Sequence, residues 1–258
     1  MEPFYSRLQK MVFAPSESTI GPWSREAQHG GPPSALLGRA LEREAGENKQ
    51  IVRLGFDILK PVPLSPMTVA VSTVRPGKKV SLHEASIEAG GRVVMRATAW
   101  AMRTAELDLP DAPASEANDD PQSYEQMDPN QIAGSGPMYL HATEWRFVSG
   151  AFLEPGPAVA WIRTLVALVD GEEDSALTRV LAVADSASGV SGALDFREWL
   201  YINTDLSVYL HRMPQGPWIK LDAETTPQPS GVALCSGRLS DRRGPIGTTS
   251  QALFISPR

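Results

Sequence analysis

Gly30 and Gly31 stand before Pro32 and Pro33 at the head of a helical pattern. Backbone N–H groups at a helix N-terminus bind developing negative charge, and glycine lets a reacting carbonyl come close. The same pair would also serve a plain tight turn. His29 sits beside them, placed either to face such a site or to brace it. Asp205 opens an otherwise apolar strand pattern over residues 206–210. A carboxylate there can take a proton from water, or it can simply cap the strand. Gln251 lies among Thr249, Ser250 and Ala252, and Thr225 and Thr226 precede Pro227. An amide and a hydroxyl near a carboxylate can fix the position of a water. Each is also an ordinary residue of a turn or an outward strand face.

Other reactive types carry less. Cys235 is the one cysteine, so no intramolecular disulfide and no thiolate zinc cluster can form. Within Gly231-Val232-Ala233-Leu234-Cys235 it reads as a small buried hydrophobe rather than a nucleophile. His83, His141 and His211 show no ligand spacing with one another or with Asp and Glu, so no metal is expected. Lys78, Lys79, Arg212, Arg242 and Arg243 could hold the phosphates of an anionic ligand, or form a solvated face.

The elements that must position these groups fall into two halves. Residues 1–104 form one and residues 139–258 the other. Between them, 105–138 is poor in large hydrophobics and rich in Asp, Pro, Ala and Ser, as in Leu107-Asp108-Leu109-Pro110-Asp111-Ala112-Pro113-Ala114-Ser115. That composition cannot build a core and predicts an exposed linker. Each half has a helix candidate before a group of strands. In the first, the two prolines fit the opening helical turn, and Ala35, Leu36, Leu37, Ala40 and Leu41 form an apolar face. In the second, residues 176–194 are the equivalent, rich in small side chains that allow close approach to a sheet. Strands are predicted at 51–60, 67–75, 79–88 and 92–102, and again at 205–212, 218–225, 231–239 and 246–255. Turns fall at Pro76-Gly77, Gly90-Gly91, Pro214-Gln215-Gly216 and Arg243-Gly244.

The halves overlay by pattern. Leu59-Lys60-Pro61 matches His211-Arg212-Met213, and the Gly91 turn matches the Gly244 turn. The predicted class is α+β, a curved antiparallel sheet wrapped around a helix, present twice: a double hotdog. A β-sandwich is the alternative, but it does not explain a helix at the same place in each half. In the overlay Asp205 falls opposite Arg53 and Gln251 opposite Thr98. The acid and amide are not repeated, so one catalytic site per chain is expected.

Composition sets the outer bounds. The 258 residues suit two fused small domains, and 42% hydrophobic content permits a sizeable core. A net charge of -6 argues against nucleic acid or an anionic membrane as the main partner. No apolar run approaches the roughly 20 residues that cross a bilayer. Met1-Glu2-Pro3-Phe4-Tyr5-Ser6-Arg7 lacks the basic and apolar regions of a secretory signal. A cytoplasmic protein with no membrane span is expected.

An ordered set of motifs resembles the bacterial and peroxisomal family of double-hotdog acyl-CoA thioesterases, over nearly the whole chain apart from the linker. In the first half these are Gln28-His29-Gly30-Gly31-Pro32, Leu59-Lys60-Pro61-Val62-Pro63-Leu64 and Arg75-Pro76-Gly77-Lys78-Lys79-Val80. In the second they are Asn203-Thr204-Asp205-Leu206-Ser207-Val208-Tyr209-Leu210-His211-Arg212, Trp218, and Gly244-Pro245-Ile246-Gly247-Thr248-Thr249-Ser250-Gln251. The resemblance implies hydrolysis of fatty acyl-CoA to free acid and CoA, without a cofactor, in a dimer or larger assembly of the chain. It implies a water held by an Asp, a Ser or Thr, and a Gln. Carried onto this sequence these are Asp205, Thr226 (with Thr225 as rival) and Gln251. His29, Gly30 and Gly31 are the implied substrate-binding group. Residues 170–179 depart from the bacterial pattern and are expected to bear on acyl-chain preference. Two rivals remain open: a hotdog acyl-CoA hydratase or dehydratase using an Asp–His pair, for which Asp205 and His211 share strand parity, and a non-catalytic acyl-CoA-binding protein.

Overall fold

The computed structural model describes residues 1–108, 117–134 and 136–258. The first half runs β1 (Tyr5–Gln9), β2 (Val12–Pro15), α1 (Gly31–Ala45), β3 (Lys49–Ile58), β4 (Met67–Arg75), β5 (Val80–Ala89) and β6 (Arg92–Arg103). After the short α2 (Asn130–Ala133) the order recurs: β7 (Thr143–Ala151), β8 (Glu154–Thr164), α3 (Ala176–Ala184), α4 (Ala187–Val190), β9 (Trp199–Asn203), β10 (Asp205–Leu210), β11 (Ile219–Pro227), β12 (Val232–Asp241) and β13 (Gly244–Pro257). The repeat read from the sequence is therefore a repeat of structure, with two strands ahead of the main helix in each half.

One antiparallel sheet carries both halves, in the order β1-β2-β4-β5-β6-β3-β10-β13-β12-β11-β8-β7, with β9 also pairing β13. The seam is β3 against β10, where Tyr209 faces Arg53 and Asp205 faces Asp57. Alternation along each strand turns one face inward. Leu54 and Phe56 of β3, Ile87 of β5, and Leu206 and Val208 of β10 are fully buried against the helices. Helix α1 contributes Leu36, Leu37 and Leu41, and α3 contributes Leu177, Val180 and Leu181. The helices also pack on each other, closely enough that a Cβ on Gly31 would run into the Ala182 carbonyl. The architecture is the hotdog, twice.

Four departures from the sequence reading have physical causes. Strands β1, β2, β7, β8 and β9 were not predicted, because their alternation is broken by exposed, bulged or very short stretches. The helix expected over 176–194 is interrupted after Ala184, where the Ser186 N–H closes a tight turn on the Val183 carbonyl instead of continuing the α pattern. The connecting segment is only partly the exposed linker expected. Its residues 109–116 lie outside the described ones, and Leu107 is exposed. Farther along, Pro121 and Met138 are buried, and Met127 and Ile132 pack on the core. Residues 170–179 do not line the cavity described below. There Glu172 takes an ion pair from each of Arg7, Arg39 and Arg43, tying α1 to the second half.

A polar chain fastens the far end of α1 to the sheet. Lys49 donates to Ser81 Oγ (2.9 Å), Ser81 Oγ lies 2.8 Å from His83 Nε2, His83 Nδ1 lies 3.1 Å from Thr73 Oγ1, and Thr73 donates to Glu44 (2.7 Å). With Thr73 donating to Glu44, His83 Nδ1 supplies the proton to Thr73 and Nε2 accepts from Ser81. Ser81→Ala leaves that nitrogen unpaired where both residues are buried, and is expected to cost about 1–3 kcal/mol. Urea unfolding would measure it. An unchanged midpoint would mean that the chain is not cooperative.

Candidate active site

The first half delivers His29 to its place through the segment before α1. The Gln28 N–H donates to the Val62 carbonyl (2.8 Å), its side-chain amide donates to the Pro63 carbonyl (2.7 Å), and Tyr5 donates to its oxygen (2.6 Å). The Lys60-Pro61-Val62-Pro63 stretch thus acts as an anchor, which prolines suit because they fix the backbone and leave carbonyls free. The His29 N–H is held by the Thr19 carbonyl (2.7 Å). Its ring stacks on Tyr139, centroids 3.8 Å apart and planes within 4°. Tyr139 is itself fixed, donating to the Ala182 carbonyl (2.7 Å) with Ser186 Oγ at 3.0 Å.

The Gly31 N–H donates to His29 Nδ1 at 3.0 Å. A nitrogen that accepts cannot carry the ring proton of a neutral imidazole, so the proton sits on Nε2. Burial lowers the His29 pKa, the neighbouring Asp185 charge opposing it in part, and the net shift is downward. The ring is therefore neutral at pH 7, with Nε2–H as its one donor. The two prolines after Gly31 have no N–H to give. At this helix N-terminus the Gly30 N–H has no acceptor among the described residues.

The second half delivers a carboxylate to the same point. Asp185 terminates α3 at the helix break and is 7% exposed. Its Oδ1 accepts from Asn203 Nδ2 (2.8 Å) and from Gln251 Nε2 (3.0 Å). Gln251 also donates to the Asp185 carbonyl (3.1 Å), and its oxygen accepts from the Ser188 N–H (3.1 Å). Fully buried in β13, Gln251 thus clamps both sides of the helix break. Asp185 Oδ2 has no hydrogen-bond donor among the described residues. It lies 3.5 Å from His29 Nδ1, and a Cβ on Gly30 would sit 2.6 Å from it. Only glycine lets the carboxylate pack this closely on the start of α1. Asn203 also spends its second N–H, on the Asp205 carbonyl (3.3 Å), and its side-chain oxygen has no donor among the described residues.

His29 and Ser186 open onto a cavity of about 350 Å³ whose wall includes Trp23, Met138, Trp145, Phe152 and Tyr201. Trp145 and Phe152 meet edge to face at 4.9 Å, as do Trp23 and Tyr201 at 5.0 Å. An apolar pocket with a few convergent polar groups at one end is the usual form of a small-molecule site.

The structure brings together His29, Gly30, Gly31 and Gln251 of the residues expected from the sequence. It does not bring Asp205 or Thr226 to them. The Asp205 carboxylate accepts from the Ala252 N–H (2.8 Å), where the chain passes from β9 to β10 and the ladder is interrupted. It is the strand cap that its position also allowed. Thr226 is exposed on β11 opposite Leu234. Adjacent strand residues face opposite sides, so Thr225 is the one turned inward, where its hydroxyl meets Ser191 at 2.9 Å beside the buried Cys235. Neither threonine hydrogen-bonds to Asp185, and in place of a hydroxyl the carboxylate has the Asn203 amide. Cys235 is fully buried, and burial raises its thiol pKa, as befits a small hydrophobe of the core. His211, the histidine weighed as a partner for Asp205, is exposed. Arg212, considered for phosphate binding, is engaged by Asp241 and the Pro245 and Gly244 carbonyls. Asp185 went unread because it stands in a run of small residues, Ala182-Val183-Ala184-Asp185-Ser186-Ala187-Ser188-Gly189. The available signal was that it is the one acid in the helical pattern over 176–194.

Two family models match the sequence: an acyl-CoA thioesterase N-terminal domain over residues 19–102 and an acyl-CoA thioesterase C-terminal domain over residues 109–255. No curated protein matches it. Among solved structures, a conserved hot dog fold protein of unknown function from Alicyclobacillus acidocaldarius is similar at 15% identity, covering 97% of this chain and 95% of its own, with a TM-score of 0.75. An acyl-CoA thioesterase II from Mycobacterium marinum is similar at 16% identity, with 98% and 96% covered and a TM-score of 0.67. The tesB protein of Mycobacterium avium subspecies paratuberculosis is similar at 18% identity, with 98% and 96% covered and a TM-score of 0.66.

Proposed function

We infer, since the chain belongs to the acyl-CoA thioesterase family, that it hydrolyses fatty acyl-CoA to free acid and CoA through a water activated by Asp185. The observation that carries the reading is the Asp185 carboxylate: two amides hold Oδ1, while Oδ2 has no donor among the described residues and lies against Gly30, between the cavity-lining His29 and Ser186. Oδ2 takes a proton from water as the water oxygen bonds to the thioester carbon. The side-chain oxygen of Asn203 accepts the second water hydrogen. Negative charge gathers on the former carbonyl oxygen, and the donors there are His29 Nε2–H and the Gly30 N–H. The intermediate then collapses, the C–S bond breaks, and the leaving thiolate recovers the proton from Asp185. No covalent enzyme intermediate is needed. Gln251 acts as a positioning residue, because its hydrogen bonds go to the helix break and to Oδ1.

A hydratase or dehydratase reading draws on one observation, the 3.5 Å approach of His29 to Asp185. The tautomer speaks against it. An imidazole that removes a substrate proton needs a lone pair facing the cavity, and here the nitrogen with the lone pair is taken by Gly31. His29 is set up to donate.

The test is to incubate the protein with a panel of acyl-CoAs and follow free thiol, with enoyl absorbance read in parallel. Thiol release without a change in enoyl absorbance is the expected result. A change in enoyl absorbance without thiol would favour the rival chemistry, and neither signal would favour a binding protein. His29→Phe keeps a ring to stack on Tyr139 but removes the donor. Loss of one such donor costs about 10²–10³-fold in kcat. A fall of that order with KM little changed is expected, and full activity would remove His29 from the mechanism.

A further inference from the structure

The segment that joins the two halves forms part of the cavity wall. Ile132 and Ala133 of α2, with Met138 just beyond, lie along its wall beside Trp145 and Phe152. None of the α2 residues is buried. The segment is nevertheless tethered to the pocket: the Met127 N–H donates to the Trp145 carbonyl (2.9 Å), and Asp128 caps the turn into α2 by accepting from the Asn130 N–H (3.0 Å). Two polar groups of the wall are already satisfied, Trp145 Nε1 by Thr143 (2.6 Å) and the Tyr139 hydroxyl by the Ala182 carbonyl. They offer a guest no hydrogen bond, only apolar surface.

Volume limits the guest. With about 30 Å³ for each water-sized group, 350 Å³ holds on the order of ten such groups. That is too little for a CoA moiety and suits a hydrocarbon tail.

We propose that this cavity takes the acyl chain of the substrate, an alkyl chain of up to about ten carbons, and that Ile132, Ala133 and Met138 of the connecting segment set its length limit. The proposal rests on the thioesterase reading for the identity of the head group. It differs in assigning specificity to the segment between the halves, where the sequence alone pointed to residues 170–179. Those residues lie instead around the Arg39–Glu172 pair.

Calorimetric binding of straight-chain acyl-CoAs from four to sixteen carbons to the Asp185→Asn protein tests the proposal without relying on turnover. Each buried methylene adds about 0.8 kcal/mol, or about 4-fold in affinity. Affinity is expected to climb by up to that factor per methylene and to level off near ten carbons. Ala133→Phe narrows the cavity and moves the break to shorter chains by about two to four carbons. Ile132→Ala and Met138→Ala widen it and move the break to longer ones. Circular dichroism and thermal melts establish that each variant is folded, and the opposed directions guard against general damage. A break that stays in place in all three variants, or affinity that keeps climbing through sixteen carbons in the parent, overturns the proposal. Thiol release by the unsubstituted protein is measured alongside. If the break moves but no thiol appears at any length, the cavity assignment stands and the hydrolase reading falls. If thiol appears but the break does not move, the reverse holds.

Discussion

Asp185→Asn is expected to lower kcat for thioester hydrolysis by about 10²–10⁴-fold, the usual worth of general-base assistance, while acyl-CoA binding persists. Asparagine keeps the size and an oxygen to accept from Asn203 and Gln251, but it cannot take a proton from water. Asp205→Asn supplies the contrast. Asn keeps an acceptor for the Ala252 N–H at the strand junction, so activity should stay within a few-fold of the parent. Gln251→Ala should cost less than Asp185→Asn, because it loosens the carboxylate without removing it. Its effect should not add fully to that of Asp185→Asn, since groups acting as a unit are non-additive. Single-turnover thiol release from the parent, the three single variants and the Asp185→Asn, Gln251→Ala double variant is the measurement. Near-normal turnover by Asp185→Asn combined with a dead Asp205→Asn would return the catalytic role to the strand residue.

That contrast also locates where the sequence ceased to be legible. Strands whose two faces differ were read nearly to the residue: 67–75 was expected and β4 is Met67–Arg75. The double-hotdog class followed from the spacing of Leu59-Lys60-Pro61 and His211-Arg212-Met213, which in the structure lie just beyond β3 and β10, the pair that joins the halves. His29, Gly30, Gly31 and Gln251 were legible because glycine before paired prolines and an amide in a terminal strand are local signals. Asp185 was not. Its partner atoms come from β9, β13 and the segment before α1, so a single helix residue gains its meaning only when three distant elements meet. The helix break that aims it arises from tertiary bonds, Gln251 to the Asp185 carbonyl and to the Ser188 N–H, and no local pattern records those. Asp205 looked like the better acid because it follows a recognisable motif, yet it serves the strand junction. Thr225 and Thr226 lie on opposite faces of β11, and neither reaches Asp185.

Arg212→Met is expected to destabilise the fold by about 1–3 kcal/mol at pH 7, the cost of leaving a buried acceptor short of its partner, because Arg212 is itself part exposed. Asp241 is fully buried, and Arg212 reaches both of its oxygens at 2.6 Å while also donating to the Gly244 and Pro245 carbonyls. The pair pins the end of β10 to the β12–β13 turn, so the His-Arg element is structural here. Burial pushes the Asp241 carboxyl up, but the Arg212 guanidinium and the N–H groups of Gln215 and Arg243 outweigh it and hold it below the usual carboxylate range. A carboxyl with a depressed folded-state pKa contributes stability that is fully present above its unfolded value near 3.9, and that is lost as pH falls through the lower folded value. The parent should therefore lose this contribution only below about pH 4. In Arg212→Met the carboxylate keeps only the Gln215 and Arg243 N–H groups, so its folded-state pKa rises above the parent's, and the gap between variant and parent should narrow as pH falls through the variant's value toward the parent's. Urea unfolding at pH 7 and near pH 3.5 measures both parts. Arg212→Lys should lie between the two, because a single ammonium cannot span both carboxylate oxygens as the guanidinium fork does. For whatever fraction remains folded, KM for acyl-CoA should be unchanged. A raised KM with parental stability would show instead that Arg212 grips the phosphates of CoA and that its bond to Asp241 is dispensable.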